Sequence, residues 1–349
     1  MGGGEPGGGE RDGGGGARAG DAGQAGGVGP AEVSDLADPG LARWVTDVRG
    51  SGGPSYRAAG ARVLRAAARQ RAAARPRGPE LPVVEDLRTA AGLPVRLYRP
   101  APGGRPLTLY LHGGGFVLGD LDSHDGICRR LAQVAGAAVL AVDYRRAPEH
   151  PGPAAVADAV SAFTWAWSRR RELGADPATG IGLAGDSAGG ALAVLAAVGL
   201  RDRGTPASAL LLAYPNADMT LSEPSVEAEG HGWGLEADEV RWFVEQWVPD
   251  PRRRADPAVS PVHADLTGLP PAIVATAGHD PLRDEGDHLA GLLAAAGAGV
   301  RHLRFPGLVH GFLGLGELSP AAASAADSLF EQFGRLLRGQ LSPPGRATA

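Results

Sequence analysis

The chain of 349 residues has no lysine and only one cysteine, Cys128. A single thiol cannot form an intrachain disulfide, which excludes a disulfide-stapled scaffold, and the apolar neighbours of Cys128 predict that its side chain is buried. No apolar run is long enough to span a bilayer, and the first residues lack the basic start and apolar middle of a signal peptide. We therefore expect no membrane span and a cytoplasmic location.

The chain also carries little net charge. The formal charge of −5 on 35.5 kDa gives no general electrostatic reason to bind nucleic acid or an anionic membrane. Hydrophobic residues make up 43% of the chain and charged residues 21%, as in soluble globular proteins. A chain of this length can bury the core of one large α/β domain, or of a domain with a cap.

The two ends and the N-terminal region differ from the rest. Residues 1–33 are dominated by glycine and predict a disordered tail, and residues 341–349 predict a flexible C-terminus. Asp38-Pro39 is typical of an N-cap followed by proline at the first helical position, and so predicts the start of a helix. A second, arginine-rich helix is predicted at Ser55–Ala74, with its charges on a solvated face.

Residues 81 to 340 alternate between short apolar strands and helices. Such alternation predicts an α/β fold with a mostly parallel central sheet that helices cover on both faces. The predicted strands are Val83–Arg88, Pro94–Tyr98, Leu107–Leu111, Ala138–Val142, Ile181–Ala184, Leu210–Tyr214, Ile273–Thr276 and Val300–Phe305. The predicted helices of this region are Gly126–Ala135, Ala154–Leu173, Ala188–Leu200, Asp284–Ala296 and Ala321–Leu337.

One long interval interrupts this alternation. Between Asn216 and Pro270 there is no good strand, but a polar stretch precedes a predicted helix, Glu236–Val248. This helix carries Trp242, Phe243 and Trp247 at helical spacing. Long insertions after a strand of an open sheet often carry function. These aromatic residues either pack in the core or line a ligand pocket, and the sequence leaves both readings open.

A short apolar run stops in Gly185-Asp186-Ser187-Ala188-Gly189 and opens into a helix. This pattern fits the G-x-S-x-G nucleophile elbow, in which a sharp strand-to-helix turn exposes the serine hydroxyl. The glycines are needed because a Cβ would clash where strand and helix approach each other. Ser187 is therefore the candidate nucleophile.

A serine hydroxyl needs a base, and the base needs an acid that orients it. Asp280 and His310 each follow a predicted strand, where an α/β sheet presents its binding crevice. The order Ser187, Asp280, His310 is the one found in α/β-hydrolases. Asp284 and His279 are the competing acid and base, but Asp284 has a role at the start of a helix and His279 is adjacent to the acid.

The segment His112-Gly113-Gly114-Gly115-Phe116 follows the strand Leu107–Leu111. A glycine-rich loop at this place can donate backbone N–H groups to the oxyanion of a tetrahedral intermediate, together with the N–H of Ala188. We expect His112 to shape this turn as a structural residue. The sequence places no histidine, cysteine or carboxylate at metal-ligand spacing, so we expect no metal and no cofactor.

Several motifs together resemble one family, the hormone-sensitive-lipase-like carboxylesterases (bacterial family IV). They are His112–Phe116, Gly119–Asp125, Asp143–Pro151, Gly185–Gly190, Ser260-Pro261, Asp280–Leu282 and His310–Phe312, and the resemblance spans Leu81 to Leu337. It implies an α/β-hydrolase fold with a small helical cap, built from the N-terminal helices (34–80) and the insertion at about 216–251. Arg146 and Gly152 depart from the family's usual residues at their positions.

The resemblance also implies the roles of the site residues. Ser187 would be the nucleophile, His310 the general base and then acid, and Asp280 the orienting carboxylate. The oxyanion hole would comprise Gly114, Gly115 and Ala188, with the participation of Gly113 left open. The substrate would be a small-molecule ester with a short to medium acyl chain. A homodimer would form through Val300–Phe305 and Ala321–Leu337.

Other functions are compatible with parts of the sequence. A dinucleotide site is rejected because Gly113, Gly115 and Gly119 are spaced one residue too widely for G-x-G-x-x-G. A catalytically silent ligand receptor, or a deacetylase or amidase of the same family, remains the alternative. Elsewhere we expect Ser123 or Asp125 to cap a helix. We also expect Arg145 and Glu149 to form a structural pair.

Overall fold

The structure is a computed structural model that describes residues 1–4, 35–52 and 55–341. Most of the predicted disordered tail, and residues 342–349 of the predicted flexible C-terminus, thus lie outside the described residues. Within the described part of the chain, eight strands form one sheet in the order β1-β2-β4-β3-β5-β6-β7-β8. These strands are β1 (Val83–Arg88), β2 (Pro94–Arg99), β3 (Leu107–Leu111), β4 (Ala138–Val142), β5 (Ile181–Asp186), β6 (Leu210–Ala213), β7 (Ala272–His279) and β8 (Val300–Val309).

The sheet is parallel from β4 through β3 and β5 to β8, and only β1 and β2 join it antiparallel. All residues of the central strands β3, β4, β5 and β6 are buried. Strands buried on both faces read as continuous apolar runs, which is the pattern that predicted them. The predicted mostly parallel sheet is confirmed.

Helices cover both faces of the sheet. They are α1 (Pro39–Gly50), α2 (Tyr56–Ala73), α3 (Asp125–Ala135), α4 (Ala154–Ser168), α5 (Ala188–Arg201), α6 (Ser225–Ala228), α7 (Ala237–Trp247), α8 (Arg283–Ala295) and α9 (Pro320–Leu337). Successive side chains of β3 point to opposite faces: Leu109 packs in the core with α4, α5 and α8, whereas Tyr110 packs in the core with α3 and α9. The predicted N-cap of the first helix is present, since Asp38 accepts from the Leu41 N–H at 2.9 Å; Ser55, predicted as a helical residue, is the N-cap of α2 and accepts from the Ala58 N–H at 3.2 Å.

Two element ends differ from the prediction by four or five residues. The helix α4 ends at Ser168, five residues before the predicted Leu173. The strand β8 continues to Val309 rather than Phe305, although Pro306-Gly307 is a typical strand breaker. The carbonyl of Gly307 accepts a hydrogen bond from the Ala37 N–H at 2.9 Å, so a distant segment stabilises the extension.

Two predicted local contacts are wrong. His124 occupies the N-cap of α3 without a side-chain cap, and the carboxylate of Asp125 instead accepts hydrogen bonds from Tyr98 at 2.9 Å and Arg129 at 2.6 Å. Ser123 bonds to Asp120 in the preceding turn. Arg129 and Asp120 are local partners, four residues from Asp125 and three from Ser123, and only Tyr98 comes from a distant strand.

Arg145 and Glu149 do not form the predicted pair. Arg145 binds Asp158 on α4 at 2.8 Å, whereas Glu149 binds Arg65 on α2 at 2.7 Å. The Arg65 guanidinium also donates to the carbonyls of Val117 and Ala147. One face of α2, predicted to be solvated, is thus tied to the loops after β3 and β4.

Among the helices of the described ranges, none combines the length and the apolar character that crossing a bilayer requires.

Candidate active site

Ser187 lies in the sharp turn between β5 and α5. Its backbone has φ 53° and ψ −122°, a conformation with positive φ that residues other than glycine rarely adopt. The turn is held because the Ser187 N–H donates to the Ala213 carbonyl at 2.8 Å. A Cβ on Gly189 would overlap the backbone carbonyl of Leu111, so only glycine permits α5 to approach β3 this closely.

The three residues predicted for the triad lie together. The Nε2 atom of His310 is 3.0 Å from the Ser187 Oγ, and its Nδ1 atom is 2.9 Å from an Asp280 Oδ. The other Asp280 oxygen accepts from the Leu282 N–H at 2.8 Å, and Asp280 is fully buried. Since an ionised carboxylate only accepts, this arrangement favours the tautomer with a proton on Nδ1, which leaves Nε2 free to accept the serine proton.

The positions of the strand ends explain why the three residues of the triad lie close together. Asp280 directly follows β7, and His310 directly follows β8, so both lie at the carboxyl edge of the sheet beside the turn that carries Ser187. The ring of Tyr214, just after β6, packs edge-on against His310 with centroids 4.8 Å apart. Neighbouring parallel strands thus bring distant residues to one edge.

The competing residues occupy other places. Asp284 accepts a hydrogen bond from the Ser225 N–H at 2.9 Å. The His279 ring stacks on Trp233 with a centroid distance of 4.0 Å and lies 3.4 Å from a Glu229 carboxylate oxygen. Neither side chain contacts Ser187, so the structure groups Asp280 and His310 with the serine and separates the competitors from it.

The glycine loop after β3 presents backbone N–H groups to the same place. The Gly113 N–H already donates to a carboxylate oxygen of Asp186 at 2.9 Å and is not available. Within the described residues, the N–H groups of Gly114, Gly115 and Ala188 have no acceptor in the protein. The Gly113 N–H thus differs from its neighbours in having an acceptor within the fold.

Asp186 lies beneath this loop and holds it through hydrogen bonds, although the sequence predicts no role for it. Its carboxylate accepts from Tyr110 Oη at 2.6 Å and from the Gly113 N–H, and it lies 3.5 Å from His124 Nε2. Burial alone would raise the pKa of Asp186, but the nearby His124 and the hydrogen bonds from His124 and Tyr110 outweigh burial and lower it. A charged residue next to the elbow serine was the available signal.

His112 supports the same loop from the other side. Its ring is buried and stacked on Tyr144, with centroids 4.2 Å apart, and its Nδ1 lies 2.9 Å from the Gly113 carbonyl oxygen. Burial, followed by the proximity of His124, lowers the pKa of His112 to about 3. His112 is therefore neutral near neutral pH and acts as a structural donor.

A cavity of about 310 Å³ opens above Ser187 and His310. Gly114 and Gly115 line one side, and residues of α2 and α7 line another: Tyr56, Arg71, Glu239, Val240 and Phe243. Phe243 therefore lines the cavity, whereas Trp247 stacks on Phe116 in the core with centroids 4.4 Å apart. Tyr56 packs edge-on against Phe243, which joins the N-terminal helices to the insertion.

Comparisons with known proteins identify the family of the chain. A family model described as "alpha/beta hydrolase fold" matches residues 108–314. The carboxylic ester hydrolase LipN of Mycobacterium tuberculosis is 44% identical over 266 residues, which cover 72% of this chain and 70% of LipN. A hyperthermophilic esterase from the archaeon Pyrobaculum calidifontis has a TM-score of 0.80 at 36% identity, covering 86% of this chain and 99% of that esterase.

The chain belongs to the hormone-sensitive-lipase-like carboxylesterases of the α/β-hydrolase superfamily. A further relative, the ethyl acetate hydrolase of Pseudomonas putida, is 41% identical over 234 residues, or 65% of this chain and 73% of its own length. The predicted family, fold class and enzyme class are confirmed, and the chain is a serine carboxylesterase.

Sequence reasoning missed most of the cavity wall of this carboxylesterase. Tyr56, Arg71 and Glu239 belong to helices that are distant in sequence from every motif. Their arginine, tyrosine and glutamate side chains are ordinary for a surface helix. Only the packing of α2 on α7 turns them toward Ser187.

Proposed function

We propose that this carboxylesterase cleaves its substrates with Ser187 as nucleophile, His310 as general base and then acid, and Asp280 as the carboxylate that orients His310. The observation that carries the proposal is the continuous chain of contacts, 2.9 Å from Asp280 to His310 and 3.0 Å from His310 to Ser187, at the base of the cavity. Such a chain is what activates a serine hydroxyl near neutral pH.

The reaction has two steps. The Ser187 Oγ attacks the ester carbonyl carbon as its proton passes to His310 Nε2. The protonated His310 then gives this proton to the leaving alcohol oxygen, and acyl-Ser187 remains. In the second step His310 takes a proton from water, the hydroxide attacks the acyl carbon, and the serine is released with its proton. The buried Asp280 stabilises the cationic form of His310 in both steps.

The N–H groups of Gly114, Gly115 and Ala188 are proposed to form the oxyanion hole. They have no acceptor among the described residues, and they flank the serine from the loop and from the start of α5. Donors of this kind contribute about 3–4 kcal/mol each to a transition state in which the carbonyl oxygen gains negative charge. Gly113 is left out because its N–H donates to Asp186.

We propose that α1, α2 and the insertion at about 216–251 form a cap over the site, and that the acyl chain is short to medium. The cavity of about 310 Å³ supports this size, because it lies at the lower end of the roughly 300–1,000 Å³ usual for ligand pockets. The cap is supported by Tyr56 and Phe243, which pack together at the cavity wall.

Two finer points stay predictions. The homodimer through β8 and α9 is supported by the place of β8 at the edge of the sheet, where its outer side can pair with a second copy. Sedimentation equilibrium measures it directly. The cytoplasmic location is supported by the single cysteine, and fractionation of cells that express the protein tests it.

The mechanism is tested with p-nitrophenyl esters from acetate to palmitate. We expect kcat/KM to peak at a short or medium chain, and Ser187→Ala to lower kcat by about 10⁴-fold or more because no other hydroxyl can form the acyl intermediate. Ser168→Ala, which changes an exposed serine at the end of α4, serves as the matched control and should retain wild-type activity.

Mass spectrometry supplies a second readout. A p-nitrophenyl phosphonate should add its phosphonyl group to Ser187 in the wild type and leave Ser187→Ala unlabelled. Undiminished hydrolysis by Ser187→Ala, or labelling at another residue, would refute the assignment. A folded wild type that is silent with every ester would instead favour the receptor or amidase alternative.

A further inference from the structure

Two arginines line the cavity that contains Ser187. Arg71 is near the end of α2, and Arg75 follows four residues later, so both lie on one side of the chain. An Arg75 guanidinium nitrogen lies 3.6 Å from the position that a Cβ on Gly314 would take. Gly314 lies in the turn just after His310, which places the Arg75 side chain beside the catalytic loop.

Arg75 also marks the junction between this cavity and a larger groove of about 980 Å³. The shared wall consists of Ala72, Arg75, Ser123, Ile127, Gly314 and Leu315. An ester arm that leaves the smaller cavity on this side therefore passes Arg75 as it enters the groove.

Four of the five other arginines around the groove have acidic partners, and the fifth, Arg77, lines the groove but not the cavity that contains Ser187. Each of four has an aspartate oxygen within 3.1 Å: Arg69 with Asp120, Arg96 with Asp86, Arg129 with Asp125, and Arg130 with Asp327. By contrast, Arg71 and Arg75 form no ion pair with any carboxylate in residues 35–52 or 55–341. Glu239 partly offsets the charge of Arg71, whereas Arg75 has no carboxylate partner in the described residues.

The acidic groups of the cavity leave Arg75 without a partner. Asp186 is engaged by Tyr110 and Gly113 beneath the loop. Glu239 shares a hydrogen bond with Tyr56, and burial raises its pKa while the nearby charge of Arg71 lowers it by less. Partial burial, followed by the like charge of Arg71, lowers the pKa of Arg75. Arg75 thus supplies a positive charge without an ion pair, among the described residues, at the junction of the cavity and the groove.

We propose that the preferred substrates are esters that carry an anionic group on one arm, bound by Arg75 and Arg71 at the junction of the two spaces. The proposal rests on the ester hydrolysis proposed above and adds the substrate class to it. Guanidinium groups bind carboxylate and phosphate oxygens with charge-assisted, often bidentate hydrogen bonds. The charge sits away from the reacting carbonyl, so the chemistry at Ser187 is unchanged.

Two pairs of esters test which arm carries the charge. On the alcohol arm, 4-acetoxybenzoate is compared with its neutral methyl ester by release of the phenol. On the acyl arm, monoethyl adipate is compared with ethyl heptanoate by titration of released acid. In at least one pair we expect the anionic ester to have the higher kcat/KM, by about five- to tenfold, as for a partly exposed charge-assisted contact.

Variants connect this preference with the arginines. We expect Arg75→Gln to lower the ratio of anionic to neutral kcat/KM by about fivefold, and Arg75→Lys to retain part of the preference because it keeps the charge. Arg62→Gln removes the same charge from an exposed position on α2 that does not line the cavity, so its ratio should equal that of the wild type. Raising the salt concentration to about 0.5 M should reduce the wild-type ratio through screening.

A binding measurement separates failure of this proposal from failure of the mechanism. Calorimetry measures 4-acetoxybenzoate and monoethyl adipate, each against its neutral partner, on Ser187→Ala and on the double variant with Arg75→Gln. Preferential binding of an anion that is lost in the double variant supports the arginine site even if hydrolysis does not depend on Ser187. Equal ratios for anionic and neutral esters, or a ratio that Arg75→Gln leaves unchanged, overturns the proposal while ester hydrolysis stands.

Discussion

The buried ring of His112 should make the folded protein sensitive to mild acid. The His112 side chain is 2% exposed, and its Nε2 atom has no hydrogen-bond partner among the described residues. Protonation would place a charge there without water or a carboxylate contact. The pKa of His112 is accordingly about 3 in the folded protein, against 6.5 for an ordinary histidine.

The size and sign of the effect follow from proton linkage. Below pH 6.5 the unfolded chain binds a proton at this position that the folded protein does not bind until the pH approaches 3. The free energy of unfolding therefore falls as the pH falls through this window. Between pH 7 and pH 5 the loss from this one side chain amounts to about 2 kcal/mol. The pKa of the Asp186 carboxyl is lowered from 3.8, so Asp186 changes protonation only below that range.

Urea unfolding at pH 7, 6 and 5 measures this loss, with the wild type compared with His112→Gln. The variant is expected to lose stability at every pH, because it disturbs the contact with Gly113, yet its stability should depend less on pH by about 2 kcal/mol. His231→Gln is the matched control, since the His231 side chain is 69% exposed. Its ring remains in water in both states, so this variant should follow the wild type.

Equal pH dependence in the wild type and His112→Gln would refute the reasoning. If the variant does not fold, the histidine proton resonances of the wild type give the answer directly. The His112 signal should show no titration between pH 7 and pH 5, and a midpoint near 6.5 would contradict a buried neutral ring.

Two further substitutions test the site. In Asp280→Asn the amide oxygen can still accept from Leu282, so the NH₂ group should face His310 Nδ1 and impose the wrong tautomer. We expect kcat for p-nitrophenyl butyrate to fall by about 10⁴-fold with an unchanged circular dichroism spectrum, and a loss below tenfold would contradict the assigned role. A Cβ at Gly115, where φ is 60°, would overlap the ring of Phe243. Gly115→Ala should therefore lower kcat/KM by about tenfold or more, as for a displaced oxyanion donor, and by clearly less when Phe243→Ala is also present. Equal losses in both backgrounds would show that the ring is not the obstacle.

Local sequence was enough to predict the central strands and the elbow. The strands β3, β4 and β5 are buried on both faces and therefore read as uninterrupted apolar runs. Ser187 could be predicted as the nucleophile because the close approach of strand and helix requires glycines beside it. These glycines are adjacent in sequence, so the motif is visible without the fold. The predictions failed where partners come from elsewhere in the chain, as with Arg145, which pairs with Asp158 rather than Glu149.

The sequence by itself determined the fold class, the family and the three residues that the structure brings together, because each depends on a short motif or on the order of motifs. Only the tertiary structure decided that the Gly113 N–H donates to Asp186, and that Phe243 lines the cavity while Trp247 does not. It also decided that Arg75 lines the cavity without an ion pair to any carboxylate of the described residues. These are contacts between segments distant in sequence. Which face of a helix lines the cavity depends on the segments that pack against the helix. Because these segments are distant in sequence, a local pattern does not predict the face.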